Sequence, residues 1–222
     1  MSENGAIDPH KHPKQDFQVE RLAFFSDAVF AIAITLLIIE FKVPPITKES
    51  TLDSVLEQLN ELRPELFSLL ISFYLIAFYW RLHHYLFKHI HNYNDGIVIA
   101  NFFLLLPIIF FPFTSAFVAT SLEHNPAIVV LSVRLFLINN ITASLFMYVL
   151  YHIAIVRHKD FSFELVKKEK AKFLLETLFM TIAFVTFLAV TFITTNYDKI
   201  TYALVAFALL KALLEKRIKM MK

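Results

Sequence analysis

Asp27 stands where a carboxylate is expensive. The run R-L-A-F-F-S-D-A-V-F-A-I-A-I-T-L-L-I-I-E, Arg21 to Glu40, is apolar enough to enter a membrane, yet Ser26 and Asp27 lie just inside its start, with Arg21 six residues before the aspartate. A charge at that depth costs several kcal/mol unless a partner offsets it. Such a carboxylate either hydrogen-bonds a neighbouring helix, relays protons or takes part in catalysis. Two other stretches offer partners. F-Y-W-R-L-H-H-Y-L-F carries Trp80, His83 and His84, and N-F-F-L-L-L-P begins at Asn101.

The elements that position these groups follow from composition. The 222 residues are 57% hydrophobic and 18% charged, with a mean hydropathy of +0.59. A soluble domain is nearer about half apolar and about a quarter charged. With 25 phenylalanines as well, the chain reads as an all-α, multi-pass integral membrane protein. Residues 1–20 are polar, contain two prolines and lack an apolar h-region, so they read as a loosely ordered tail and not as a signal peptide. The absence of cysteine excludes a disulfide framework and a thiolate nucleophile. A net charge of +2 is too small to suggest nucleic acid.

A helix crosses a bilayer with ~20 mostly apolar residues. Six runs qualify, at 22–41, 65–88, 97–119, 126–150, 172–194 and 199–215, with no soluble domain and no clear repeat. Alternating loops place 16 of the 21 lysines and arginines on the side of the N-terminal tail and four on the other, while Arg134 lies inside the fourth run. By the positive-inside rule both termini are cytoplasmic. Asp27 then lies ~9 Å beyond Arg21, at the depth expected for Trp80, His83, His84 and Asn101. Polar groups at one depth hydrogen-bond across helices, each bond contributing ~0.6–2 kcal/mol. The plainer reading is that they hold three helices together, and the alternative is catalysis or proton relay.

Ile32, Leu36 and Ile39 recur at i, i+4 and i+7, one helix face, and Thr35 adjoins it. Every neighbour is apolar, so periodicity alone cannot say whether this stripe faces lipid, protein or a pore. H-H-Y-L-F-K-H-I-H invites a metal reading, but one cluster with this spacing does not make the several histidine boxes that a membrane di-iron site needs. Glu40, at the outer end of the first run, would gather cations or pair with Arg134, about eight residues down the fourth run. The basic loop R-H-K-D-F-S-F-E-L-V-K-K-E-K-A-K would touch anionic lipid or remain solvated. There is no T-V-G-Y-G segment, and only two glycines in all.

R-x-x-x-F-S-D at Arg21–Asp27, with Phe25 in the motif, followed by A-V-F-A-I-A-I-T-L-L, resembles the first-helix motif of the lysosomal-type potassium channels, transmembrane protein 175 and its bacterial relatives. W-x-x-H-H at Trp80–His84 and N-x-x-L-L-L with F-P-F at Asn101–Phe113 are similar to the second and third helices of bacterial members; Pro107 is not part of that pattern. The resemblance implies a six-helix potassium-permeable channel domain over 21–215, between a polar tail (1–20) and a basic tail (216–222), in the cell membrane. It implies a homotetramer with the first helix lining the pore, Ile32 as the constriction, Leu36 and Ile39 as further apolar rings, and Thr35 aiding selectivity. Arg21, Phe25, Ser26, Asp27, Trp80, His83, His84 and Asn101 would fix that gating helix. No enzyme activity and no cofactor beyond permeant potassium is expected. The competing expectation is a proton-coupled secondary transporter using Asp27. Transporters usually place such groups at mid-membrane on broken helices, whereas Asp27 lies near an end of a run without Gly or Pro.

Overall fold

The computed structural model describes residues 13–39, 45–122, 124–163, 165–193 and 216. Apart from one antiparallel bridge, Ile90 with Ser162, the regular structure among them is helical. In chain order the helices are α1 (Pro13–Ile39), α2 (Leu52–Glu61), α3 (Arg63–Phe87), α4 (Asp95–Ser121), α5 (Pro126–Tyr151) and α6 (Lys167–Ile193). Five of them, all but α2, are long and apolar enough to cross a membrane. The expected sixth span at 199–215 lies outside the described residues, as do Glu40 and most of both tails.

Two boundaries differ from expectation. The helix of the first span starts at Pro13, inside the supposed tail. Proline suits the first helical turn, where its missing N–H would be unpaired anyway, and Val19 is already buried. The connection from α1 to α3 also contains a helix. Thr51 caps α2: its side chain accepts from the Ser54 N–H, while the Ser54 hydroxyl accepts from the Thr51 N–H, a reciprocal capping box. Leu62 then closes α2 and opens α3, so the two helices meet at one residue.

The membrane helices alternate in direction. We call "lower" the end where α1 begins. Trp80 of α3 meets Asp27, and Ser68, near the start of α3, meets Ser115, near the end of α4. α4 is central, packing on α1, α3 and α5, while α6 packs on α5. Half (50%) of the apolar stretch of α4 is buried, against 22% for α1, which among the described helices packs chiefly on α3 and α4. Small side chains let α3 and α4 approach. Ser68 donates to the Ser115 carbonyl at 2.9 Å and Ser72 to the Ser115 hydroxyl at 2.8 Å, the close polar contact expected of helices in lipid. Both Pro107 and Pro112 sit inside α4, which continues through them. Asn139 of α5 donates to the Pro107 carbonyl at 3.0 Å, a polar tie between α5 and α4 at that turn. α5 ends in a π-helical turn, His152–Arg157.

Candidate functional site

α1 has two unlike faces. Ser26, Phe30, Ala33 and Leu37, at i, i+4, i+7 and i+11, are at most 5% exposed and form the packed face. Ser26 starts a polar chain across three helices. Its hydroxyl donates to the Leu22 carbonyl at 2.9 Å and accepts from Asn101 Nδ2 at 2.9 Å. Asn101 Oδ1 accepts from His83 Nε2 at 2.8 Å. An amide oxygen only accepts, so the imidazole proton sits on Nε2. Ser26, Asn101 and His83 are all buried. The His83 ring stacks on Phe87 (centroids 4.3 Å apart) and tilts against Phe30 at 5.5 Å, so the imidazole is clamped between α1 and its own helix.

A second link lies beside the first. Trp80 Nε1–H donates to Asp27 Oδ1 at 2.8 Å, and the indole stacks on His84 with centroids 5.5 Å apart. Asp27 is half-buried and borders an open cleft of about 500 Å³ that also touches Glu20, His84, Lys88 and His91. Phe25 meets Phe102 edge to face at 5.7 Å. Arg21 is exposed and makes no ion pair with a described residue. Thus Ser26, Asp27, Trp80, His83, His84 and Asn101 come together in one layer near the lower end, while Arg21 stands apart from it.

The opposite face of α1 is largely uncovered by the described chain. Ile32 is 58% exposed, Leu36 37% and Ile39 67%, and Thr35 is exposed between them. Thr35 Oγ1 donates to the Ile32 carbonyl at 2.9 Å. That bond uses the hydroxyl's proton, leaving the oxygen as an acceptor on an exposed surface.

Histidine makes no metal centre among the described residues, where no group of three His, Asp or Glu side chains could hold an ion. His83 and His84 are engaged as above, His89 Nδ1 is 2.8 Å from the Tyr85 carbonyl, and His91 packs on Phe163. Arg134 does not look only for a carboxylate. Its guanidinium donates to the Thr191 hydroxyl at 3.1 Å and carbonyl at 2.7 Å, and lies 3.7 Å over the Phe192 ring. Its expected partner Glu40 lies outside the described residues.

Sequence reasoning missed three contacts. Arg81 lies inside α3 and pairs with buried Glu176 of α6 at 2.7 Å. Tyr79, Asn140, Ser144 and Thr181 form a mid-bundle polar layer, with the Tyr79 hydroxyl donating to the Asn140 carbonyl at 3.0 Å and Thr181 to Ser144 at 2.9 Å. The serine contact of α3 and α4 is the third. The available signal was polar residues at matching depth in different spans, the one that located the Asn101 layer.

Comparison with known proteins adds an independent line. The family described as the endosomal/lysosomal potassium channel TMEM175 matches residues 21–112. A potassium channel of Chryseobacterium sp. (strain P1-3) is 34% identical over 107 residues, 48% of this chain and 52% of that protein. One of Chamaesiphon minutus is 38% identical over 121 residues, 54% of this chain and 59% of that protein. The chain thus spans between half and two-thirds of these two bacterial relatives. An endosomal/lysosomal proton channel TMEM175 of Danio rerio is 36% identical over 84 residues, covering 36% of this chain and 16% of that protein. The fold is similar to the crystal structure of a lysosomal potassium-selective channel TMEM175 homolog from Chamaesiphon minutus, with a TM-score of 0.66 at 26% identity over 90% of this chain and 98% of that one. The sequence match, which is confined to residues 21–112 and holds the Ser26–Asp27–Trp80–Asn101 layer, and the fold match over nearly the whole chain are both to the TMEM175 family.

Proposed function

We propose that the protein is a passive, potassium-permeable channel of the cell membrane, built from four copies with α1 lining the pore. The observation that carries this reading is the uncovered face of α1: Ile32, Thr35, Leu36 and Ile39 are exposed while the opposite face is bonded to α3 and α4. The naming of its relatives as potassium channels supports the choice of ion. In this reading the lower end, with most of the Lys and Arg, is cytoplasmic, a sixth span follows α6 so that both termini are inside, and residues 21–215 form the channel domain.

Four Ile32 side chains around an axis make an apolar ring that excludes water, a gate that closes by dewetting. Leu36 and Ile39 extend it. Thr35 offers oxygens to a partly dehydrated cation, its own proton being held by the Ile32 carbonyl. Potassium sheds water more cheaply than sodium, so such a ring favours it modestly, with less discrimination than a T-V-G-Y-G carbonyl filter gives. The Ser26–Asn101–His83 and Asp27–Trp80 bonds hold the gating helix, and their loss changes opening and assembly, not ion choice. Glu40 would line the outer mouth.

The test is flux in liposomes with purified protein under potassium, sodium and proton gradients. Expected is passive flux favouring potassium, raised by Ile32→Asn and less selective in Thr35→Ala. Flux that appears only against an opposing proton gradient would overturn the channel reading and make Asp27 a transport group. A proton current through the same Ile32-gated path would keep the pore and change its ion, as the name of the Danio rerio relative suggests.

A further inference from the structure

α2 buries none of its ten residues. Its apolar side chains nevertheless share one face, Leu52, Val55, Leu56 and Leu59 at i, i+3, i+4 and i+7. The three leucines are 74%, 54% and 49% exposed. Asp53, Glu57 and Glu61 lie on the opposite face at four-residue spacing. No Lys or Arg interrupts either row. A helix this polarised, with little net hydrophobicity, has the character of one that lies in a membrane interface.

Its surroundings say what covers the leucines. α2 lies in the connection between two candidate spans, one ending at Ile39 and the next beginning at Arg63. Leu62 is the single residue between α2 and α3, so the end of α2 is held against the upper end of α3. Just past Leu62, the first turns of α3 carry exposed Leu66, Phe67 and Leu70 (47%, 67% and 55%), an apolar surface next in sequence to that of α2.

We infer that α2 lies flat on the bilayer at the upper end of the bundle, with Leu52, Leu56 and Leu59 in the boundary between headgroups and acyl chains and its acidic row in water. The occupant of the apolar face is phospholipid. The acidic row has no use for anionic headgroups, so a zwitterionic phosphatidylcholine surface suffices. Through Leu62 this seat fixes the upper end of α3, whose lower end holds α1 through Trp80 and His83. The inference stands independently of ion conduction.

The chain has no cysteine, so single labels can be introduced directly. Leu52→Cys, Asp53→Cys, Leu56→Cys, Glu57→Cys and Leu59→Cys would each carry a nitroxide, with the full-length protein in phosphatidylcholine nanodiscs. Collisions with oxygen, which concentrates in lipid, are compared with collisions with a neutral nickel chelate, which stays in water. The expected oxygen-to-nickel ratio is several-fold higher at 52, 56 and 59 than at 53 and 57, placing the leucine labels ~5–10 Å below the headgroup surface. Leucine labels reached freely by nickel would put α2 in water and overturn the inference. Labels shielded from both reagents would show protein covering the face, such as a second copy, and would overturn it equally.

Discussion

Replacing Asn101 by leucine asks whether the buried chain Ser26–Asn101–His83 is what fastens α1. Asn101 is fully buried and makes two side-chain bonds, to Ser26 at 2.9 Å and from His83 at 2.8 Å. In a membrane bundle each bond contributes ~0.6–2 kcal/mol, so the pair amounts to ~1–4 kcal/mol. His83 is also stranded. Its Nδ1 already has no partner, and the variant leaves Nε2–H without one, a cost of ~1–3 kcal/mol for a buried donor. These terms overlap, and a net loss of ~2–4 kcal/mol follows. Ser26→Ala removes one interhelical bond and should cost ~0.6–2 kcal/mol. Unfolding in detergent, followed by circular dichroism and by the fluorescence of Trp80, the single tryptophan, would give both values and that of the double variant. If the bond is real, the serine substitution costs little once Asn101 is gone, and the cycle shows coupling of ~0.6–2 kcal/mol. Strictly additive losses, or an Asn101→Leu protein as stable as the wild type, would refute the reasoning.

Three other outcomes follow from the same contacts. Trp80→Phe keeps a ring beside His84 and loses the bond to Asp27, so potassium flux in liposomes should change while the potassium-to-sodium ratio does not, Thr35 lying ~12 Å further along α1. Arg81→Gln leaves the buried Glu176 carboxylate uncompensated and should lower stability by up to ~3 kcal/mol, with Glu176→Gln in the same chain restoring most of it in a detergent melt. Arg134→Lys cannot reproduce the two-point grip on Thr191 or the flat stacking on Phe192, and should cost ~1–2 kcal/mol. Hydrogen exchange would show that loss as faster exchange at the upper end of α6, with α1 unchanged.

How much of this was legible in sequence depended on chemistry. The Asp27–Trp80 and Asn101–His83 contacts could be expected because polar groups are rare in lipid and their depths matched. The faces of α1 could not, since nearly every residue from Ala28 to Ile39 is apolar and a helix apolar all round has no readable direction. Its bare side emerged only from what packs on the other. Arg134 was legible only in part. A buried cation suggests a carboxylate partner, whereas a threonine and a phenylalanine ring nearby serve as well and occur too often to single out. Pro13 lay in a polar stretch that read as a tail, and it starts a helix. α2 was overlooked because the search was for runs of span length, although its leucines and acids already kept a helical period and T-L-D-S held the cap.

The bonding of α1 is lopsided, and that sets its leverage. Every polar bond to its neighbours named above lies near the lower end, at Ser26 and Asp27, while the upper half is held by apolar contacts through Phe30, Ala33 and Leu37. Such a rod pivots at its fastened end. A tilt of ~5° about Ser26 moves the helix axis by ~0.8 Å at Ile32 and ~1.7 Å at Ile39, given 1.5 Å of rise per residue. A conduit lined by α1 would therefore widen as a cone, its upper rings parting about twice as far as Ile32. The ring that travels least would be the last to admit water.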